Sequence, residues 1–395
     1  MVPSQSMPGR YRVNKGPEGF ACSCPDFEDR GQPCKHIFAV EFVMKRETAP
    51  DGTIIETRAA RVTYAQSWPA YHRAQSSEKD QFCILLRDLV ADVPSPEQKR
   101  GRPALPLADM IFAAAFKVYS MVSARRFMSD LRGATEKGFI GRTPHYNSIL
   151  NMLDKASLTP ILTDLITRAA LPLKGLESNF AVDSTGFGVN SFYRHYSVKY
   201  GKDRMRRDFL KLHAMVGTKT NVLTAVHVAA HDTHDSPELP ELVATTAQYF
   251  DVQRVSADKA YSSNRNLDAI VRIGAEPFVP FKANATADGR GRNTALWNKL
   301  FHFFQMNQDE FLPRYHARSN VESTFSAMKR KFGDTIRSKT PIAQRNELLL
   351  KCLCHNVVCV IHEIHASGAV GQFPALMPSC PKRLAPAQQS MGFEG

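Results

Sequence analysis

Three carboxylates are the first residues in this chain whose type and placement suggest chemistry. Asp183 follows the apolar run Phe180-Ala181-Val182, and Asp258 follows Val255-Ser256-Ala257. Both are therefore expected at or just past strand ends, where α/β folds commonly place reacting groups. Carboxylates converging on one point supply the hard oxygen ligands that Mg²⁺ or Mn²⁺ takes, and such ions activate oxygen nucleophiles at phosphodiesters. A single Asp at a strand end serves equally well as a turn or helix cap, so the third acid, Glu322, decides. Counting about 100° per residue from Glu322, Tyr315 falls near +20°, Arg318 near −40° and Lys329 near −20°. These four form one polar stripe. Val321, Phe325, Met328 and Phe332 fall between about −60° and −120° and form a core-facing stripe beside it. Glu322 then lies on the rim of the core, within reach of strand-end acids, with Arg318 and Lys329 along the same rim, placed to hold phosphates. The competing reading is a solvated helix face with an i,i+4 pair between Arg318 and Glu322.

A second constellation is Cys22, Cys24, Cys34 and His36, spaced Cys-x-Cys-x9-Cys-x-His. Three thiols and an imidazole brought together by a short loop can close a tetrahedral Zn²⁺ site, and four filled positions make such a site structural. Cys352, Cys354, His355, Cys359 and His362 look similar but lie in an apolar helical pattern with Leu348, Leu349, Leu353 and Ile361. There cysteine behaves as a small core residue.

The elements that must position these groups follow from periodicity. Residues 1–48 hold the metal-ligand cluster. Residues 49–103 are polar and read as a connector with one amphipathic piece around Phe82–Val90. Residues 104–175 read as a helical domain, with Thr143-Pro144 and Thr159-Pro160 as helix starts. From 176 to 366 the pattern is mixed. Strand-like runs at Asn179–Val182, Leu210–Val216, Leu223–Ala229, Arg254–Ala257 and Pro277–Phe281 have helical stretches at Pro237–Tyr249 and Asn264–Ile273 between the later ones. Long helical patterns at Asn320–Phe332 and Gln344–His365 close the region, which predicts a mixed α/β sheet flanked by helices. The tail, 367–395, is rich in Pro and Gly and is expected to be disordered.

Lys and Arg number 51 against 38 Asp and Glu, a net charge of +13 over 395 residues. An excess of that size points to an anionic partner, with nucleic acid the commonest. Seven Lys/Arg against two Asp lie between Arg194 and Lys211, interleaved with Tyr196, Tyr200 and Phe209. Lys99-Arg100-Gly101-Arg102-Pro103 could lay Arg100 and Arg102 in a narrow A·T-rich minor groove. No signal-peptide core follows Met1, and the longest purely apolar run, Met110–Phe116, is far too short to cross a bilayer. A soluble, cytoplasmic, nucleoid-associated protein without a membrane partner is expected.

The stretch from Tyr315 through Arg318 and Glu322 to Lys329 resembles the Tyr-x2-Arg-x3-Glu-x6-Lys signature of prokaryotic DDE insertion-sequence transposases. Ala181-Val182-Asp183-Ser184-Thr185-Gly186-Phe187 is similar to the segment carrying that family's first Asp, and Ala257-Asp258-Lys259-Ala260-Tyr261 to the segment carrying its second. His234-Asp235-Ser236, Phe278–Lys282 and His355-Asn356 also match the group. The likeness covers roughly 105–366. It implies an RNase H-like fold with the acids on the first strand, the fourth strand and a late helix. It also implies metal-dependent cleavage of double-stranded transposon ends and strand transfer into target DNA by a homodimer on paired ends. In that scheme Asp183, Asp258 and Glu322 are catalytic, and Tyr315, Arg318, Lys329 and Lys259 hold the strand. A DNA-binding regulator without catalysis, or a nuclease without strand transfer, are the alternatives. Only residues 283–314 separate Lys282 from Tyr315, too short for the large β insertion of some relatives, so a mechanism depending on that insertion is not implied. Asp26, Phe27, Lys35 and Ile37 around the Cys/His cluster make it similar to a SWIM zinc finger.

Overall fold

The five strand-like runs from residue 179 onward pair into one sheet in a computed structural model of the chain. The structure describes residues 67–98, 101, 103–189, 209–287 and 294–374, and within the first 63 residues 2–3, 10–16, 19–34, 36–37, 44–48 and 54–58. The chain forms two compact units, Met1–Thr63 and Tyr64–Gly395. Arg100, Arg102, most of the basic segment 194–211 and the end of the tail from 375 lie outside the described residues.

In the larger unit the strands are β1 (Asn179–Gly188), β2 (Phe209–Gly217), β3 (Leu223–Ala230), β4 (Arg254–Ala257) and β5 (Glu276–Phe278). Their order across the sheet is β5-β4-β1-β2-β3. The first three run antiparallel in sequence, whereas β4 and β5 lie parallel to β1 and to each other. This is the mixed, RNase H-like arrangement expected, with the first and fourth strands adjacent at its centre. One expectation needs correction. Asp183 is not at a strand end, because β1 continues as a ladder with β2 to Gly188 and pairs Asp183 with Ala214. Asp258 does lie just past its strand.

Helices precede the sheet: α1 (Trp68–Val90), α2 (Leu107–Ser120), α3 (Met128–Glu136), α4 (Tyr146–Leu153) and α5 (Leu158–Ala170). The stretch read as a polar connector thus contains a 23-residue helix. Its apolar positions, from Ala70 and Ala74 to Phe82, Leu86 and Leu89, are buried in the same core as the sheet. Both Thr-Pro starts are also displaced. His145 caps α4 by accepting from the Asn147 N–H at 3.3 Å, and α5 begins before Pro160. The ring of Pro160 is tolerated there because first-turn N–H groups have no intrahelical partner. Thr143 instead shares its hydroxyl with Thr135 at 2.6 Å.

The later helices are α6 (Leu239–Ala247), α7 (Asn264–Arg272), α8 (Ala295–Met306), α9 (Gln308–Tyr315), α10 (Ser319–Phe332) and α11 (Pro341–Ser367). α11 packs against α1, α2, α4, α5 and β3. It is long and apolar enough by composition to cross a membrane, yet 78% of its apolar window is buried within the protein. Asn356, fully buried, donates to the carbonyls of Ile166 (2.9 Å) and Leu223 (2.7 Å) and accepts from the Leu223 N–H (2.9 Å). One side chain thereby joins α11, α5 and β3. Cys354 is directed at the Ala115 carbonyl, and Cys359 and His355 at that of Asn221. The late Cys/His cluster is core material.

Glu78 of α1 ties this scaffold to the far end of α10. Burial raises its carboxyl, but hydrogen bonds from His362, Lys331 and Tyr119 outweigh it and bring it down to about 2. Removing one partner of a buried pair leaves the other charge uncompensated. Lys331 keeps 31% of its side chain in water, which discounts the cost. Glu78→Ala is expected to lower unfolding free energy by about 2 kcal/mol, read from urea denaturation. A change under about 0.5 kcal/mol, the range of ordinary surface substitutions, would show that the network is ornamental to stability.

The smaller unit contains antiparallel pairs between Val13–Gly16 and Gly19–Cys22 and between Met44–Thr48 and Ile54–Arg58. A short helix, Pro25–Arg30, begins at Cys24 with Pro at its first position and ends at Gly31 with φ +61°, a conformation that suits glycine.

Candidate active site and metal centre

Register alone brings the first two acids side by side. β1 and β4 are parallel with Val182 opposite Ala257, so Asp183 and Asp258 are the next positions of adjacent strands. The Asp258 side chain caps the short turn Lys259–Tyr261, accepting from the Lys259 N–H at 2.6 Å. The capping reading and the active-site reading of Asp258 thus coexist in one residue. Lys259 is exposed.

Glu322 arrives on α10, whose apolar stripe packs as its period requires. Val321, Met328 and Phe332 are fully buried and Phe325 nearly so. The helix ends at Gly333, with φ +78°. The polar stripe, however, does not lie on one continuous helix. Tyr315 ends α9, Arg318 closes a 3₁₀ turn (His316–Arg318), and Glu322 lies in the first turn of the next helix. A uniform count of 100° therefore overstates the regularity, since a 3₁₀ turn advances about 120° per residue.

The turn places Arg318 between the acids. Its Nη2 lies 2.8 Å from Asp183 Oδ2 and its Nη1 3.1 Å from Glu322 Oε1. Asp183 and Arg318 side chains are each 17% exposed, whereas that of Glu322 is 64% exposed. Arg318 thus makes the i,i+4 pair of the competing reading, and reaches the first acid as well. Its Nε is buried without a hydrogen bond among the described residues. Burial raises the Asp183 carboxyl, Arg318 opposes this, and the charges of Asp258 and Glu322 raise it further. The charges of both other acids therefore reach Asp183. Burial likewise raises the Tyr315 hydroxyl, with Arg318 lowering it and Asp258 raising it. Tyr315 belongs to the same group.

A cleft of about 480 Å³ opens here, lined by Asp183, Ser184, Thr185, Glu322, Lys329 and Arg330 among others. Lys329 rests its ammonium over the Phe187 ring at 5.3 Å. Burial lowers its pKa, with Asp334 pulling the other way. The donor set suits a divalent cation. Two carboxylates already grip one cationic group, and a third sits beside them. Arg330 and Asp334 were not singled out by sequence, because their place on the cleft depends on how α10 ends.

The second candidate site lies in the smaller unit. Cys22, Cys24, Cys34 and His36 are all buried, and their ligand atoms lie within 4.8 Å of one another. The Sγ atoms of Cys22 and Cys34 are each 3.8 Å from His36 Nδ1. Ligands around one tetrahedral Zn²⁺ stand roughly 3.5–3.8 Å apart, so the spacing fits a shared ion better than hydrogen bonding. Burial pushes the Cys22 thiol up to about 12, a cost that a bound cation would reverse.

Known proteins share both regions. Residues 174–357 match the family model of the transposase DDE domain, and residues 11–45 that of the SWIM zinc finger. A probable transposase for insertion sequence element ISA1214 from Archaeoglobus fulgidus is 26% identical over 187 residues, covering 47% of this chain and 55% of that protein. The chain spans about half the length of that curated relative. Segment 174–357 is thus similar to a transposase DDE domain, and segment 11–45 before it to a SWIM zinc finger.

Proposed function

We propose that this protein cleaves the ends of a DNA element and joins them to target DNA, using Asp183, Asp258 and Glu322 as ligands for Mg²⁺ or Mn²⁺. The observation that carries this reading is the sharing of one cationic group by Asp183 and Glu322, next to Asp258 in register. Divalent ions held there supply activation of a water or a DNA 3′-hydroxyl and stabilisation of the leaving oxygen. Asp183, Asp258 and Glu322 would be the residues that hold them. Arg318, which holds two of these carboxylates, would lie beside such ions, where a guanidinium could bind a phosphate oxygen. Lys329, Lys259, Tyr315 and, outside the described residues, Arg100 and Arg102 would hold the strand.

The helices before the sheet and the zinc finger would read the element's ends, and a homodimer on paired ends in the bacterial or archaeal cytoplasm, at the nucleoid, is the working assembly. Residues 294–315 form two helices, α8 and α9, so an excision step that needs a β insertion is no part of this proposal.

The test is an end-cleavage assay on the element's own terminal DNA with Mg²⁺ or Mn²⁺. Wild type should nick the ends and transfer the free 3′-end to a second duplex, and Asp258→Ala should do neither. Equal cutting by Asp258→Ala would overturn the site assignment. DNA binding by both proteins with cutting by neither would leave a non-catalytic DNA-binding role, and cutting without joining would leave a nuclease.

A further inference from the structure

Asp235, in the turn after β3, is the strongest candidate outside the three acids. Its Oδ1 lies 2.7 Å from Lys211 Nζ and 3.4 Å from Nδ1 of His213, an imidazole with no exposed surface. Lys211 is anchored in turn on the Thr233 carbonyl at 3.1 Å. The Asp235 carboxylate also takes a hydrogen bond from the Ser184 side chain. Ser184 follows Asp183, and its backbone N–H donates to Asp183 Oδ1 at 2.9 Å. That contact commits Oδ1 and leaves Oδ2 directed at the cationic group, now Arg318 Nη2 at 2.8 Å. The same array reaches the second acid. Tyr261, three residues after Asp258 and 1% exposed, senses the charges of both Asp235 and Asp183. Asn266, also 1% exposed, donates to the Ser236 carbonyl and hydroxyl (2.9 Å each) and to the Tyr261 carbonyl (2.8 Å).

We propose that Asp235 is a positioning residue: through Ser184 it holds the Asp183 carboxylate with one oxygen turned to the metal, and it links that acid to the Asp258 turn. The inference rests on the reading of Asp183 as a metal ligand. Partners that orient a ligating carboxylate commonly contribute 10–100-fold to metal affinity.

Mn²⁺ affinity of the full chain, measured by calorimetry or by the free-ion paramagnetic signal, separates the possibilities without any cleavage assay. Asp183→Ala should lose the tight site. Asp235→Ala and Ser184→Ala should each weaken it by about tenfold, and the double variant should be no worse than the more damaging single one, since both act along one path. Asp235→Asn, which retains an acceptor for Ser184, should recover part of the affinity. If Asp183→Ala loses the tight site while Asp235→Ala and Ser184→Ala bind as wild type, the positioning role is wrong and the metal site stands. If Asp183→Ala itself binds as wild type, the underlying reading fails. Should Asp235→Ala not fold by circular dichroism, Ser184→Ala carries the test, and unchanged affinity there overturns the inference.

Discussion

Glu322→Gln is expected to reduce end cleavage by on the order of 10³-fold or more while leaving the fold nearly as stable as wild type. The two halves of that expectation come from different features of α10. Stability comes from Val321, Phe325, Met328 and Phe332, which stay buried whatever residue occupies position 322. The Glu322 side chain is 64% exposed, and among the described residues it pairs only with Arg318, four residues before. Such pairs contribute about 0.3–0.5 kcal/mol. Activity, by contrast, needs the carboxylate charge opposite Asp183, and glutamine keeps the shape while removing that charge. Single-turnover cleavage of end DNA, run beside a thermal melt, reads both. A variant that melts as wild type and cuts at more than about a tenth of its rate, far short of the loss expected for a transition-state partner, would exclude Glu322 from the chemistry.

The zinc cluster carries the second large effect. Cys24→Ser, or strong chelation, should unfold the segment around 11–37 while residues 64–395 melt unchanged. Among its described residues the smaller unit has little else to hold it. Its buried apolar cluster is Cys22, Cys24, Cys34 and Ile37, with Tyr11, Val13, Phe20 and Phe27 only partly covered. Three of its four buried members are the ligands themselves, so burial alone cannot offset the entropy of ordering the segment. Structural Zn²⁺ binding contributes on the order of 10–16 kcal/mol in zinc-finger peptides. Metal content by mass spectrometry and limited proteolysis together measure the outcome. One zinc per chain retained by Cys24→Ser, with wild-type protection from protease, would show that Cys24 is not a ligand.

Much of the fold was legible because its elements are regular. The strand runs recur where expected, four of them near their bounds and β1 six residues longer, and α10 and α11 follow their helical period. Asp258 and Glu322 could be picked out because each is flanked by an apolar pattern that must be buried. Three things were hidden, for physical reasons. Only the end of α1, around Phe82–Val90, shows in the sequence, because before Phe82 its core face uses Ala70, Ala74 and the buried acid Glu78, and a stripe of small and charged residues carries little hydrophobic signal. The break at His316–Arg318 is invisible to a fixed period, so the sequence offers Arg318 as a phosphate contact or a partner of Glu322, and not its bond to Asp183. Asp235 gave only a local motif. Its meaning depends on Ser184 of β1 and on Lys211 and His213 of β2, which meet it only when β1, β2 and β3 pair.

Asn356, spanning α11, α5 and β3, has a consequence for how such a chain can change over evolutionary time. The helices before the sheet share one core with it, and α11, which follows the sheet in sequence, packs on both. A gene fragment encoding 104–175 could not be exchanged for another without also matching α11, so new specificity in this part must accumulate by surface substitution. The segment before residue 64 is under no such constraint. It forms its own compact unit and supplies its own ligands, so it can be acquired, lost or replaced in a single genetic event.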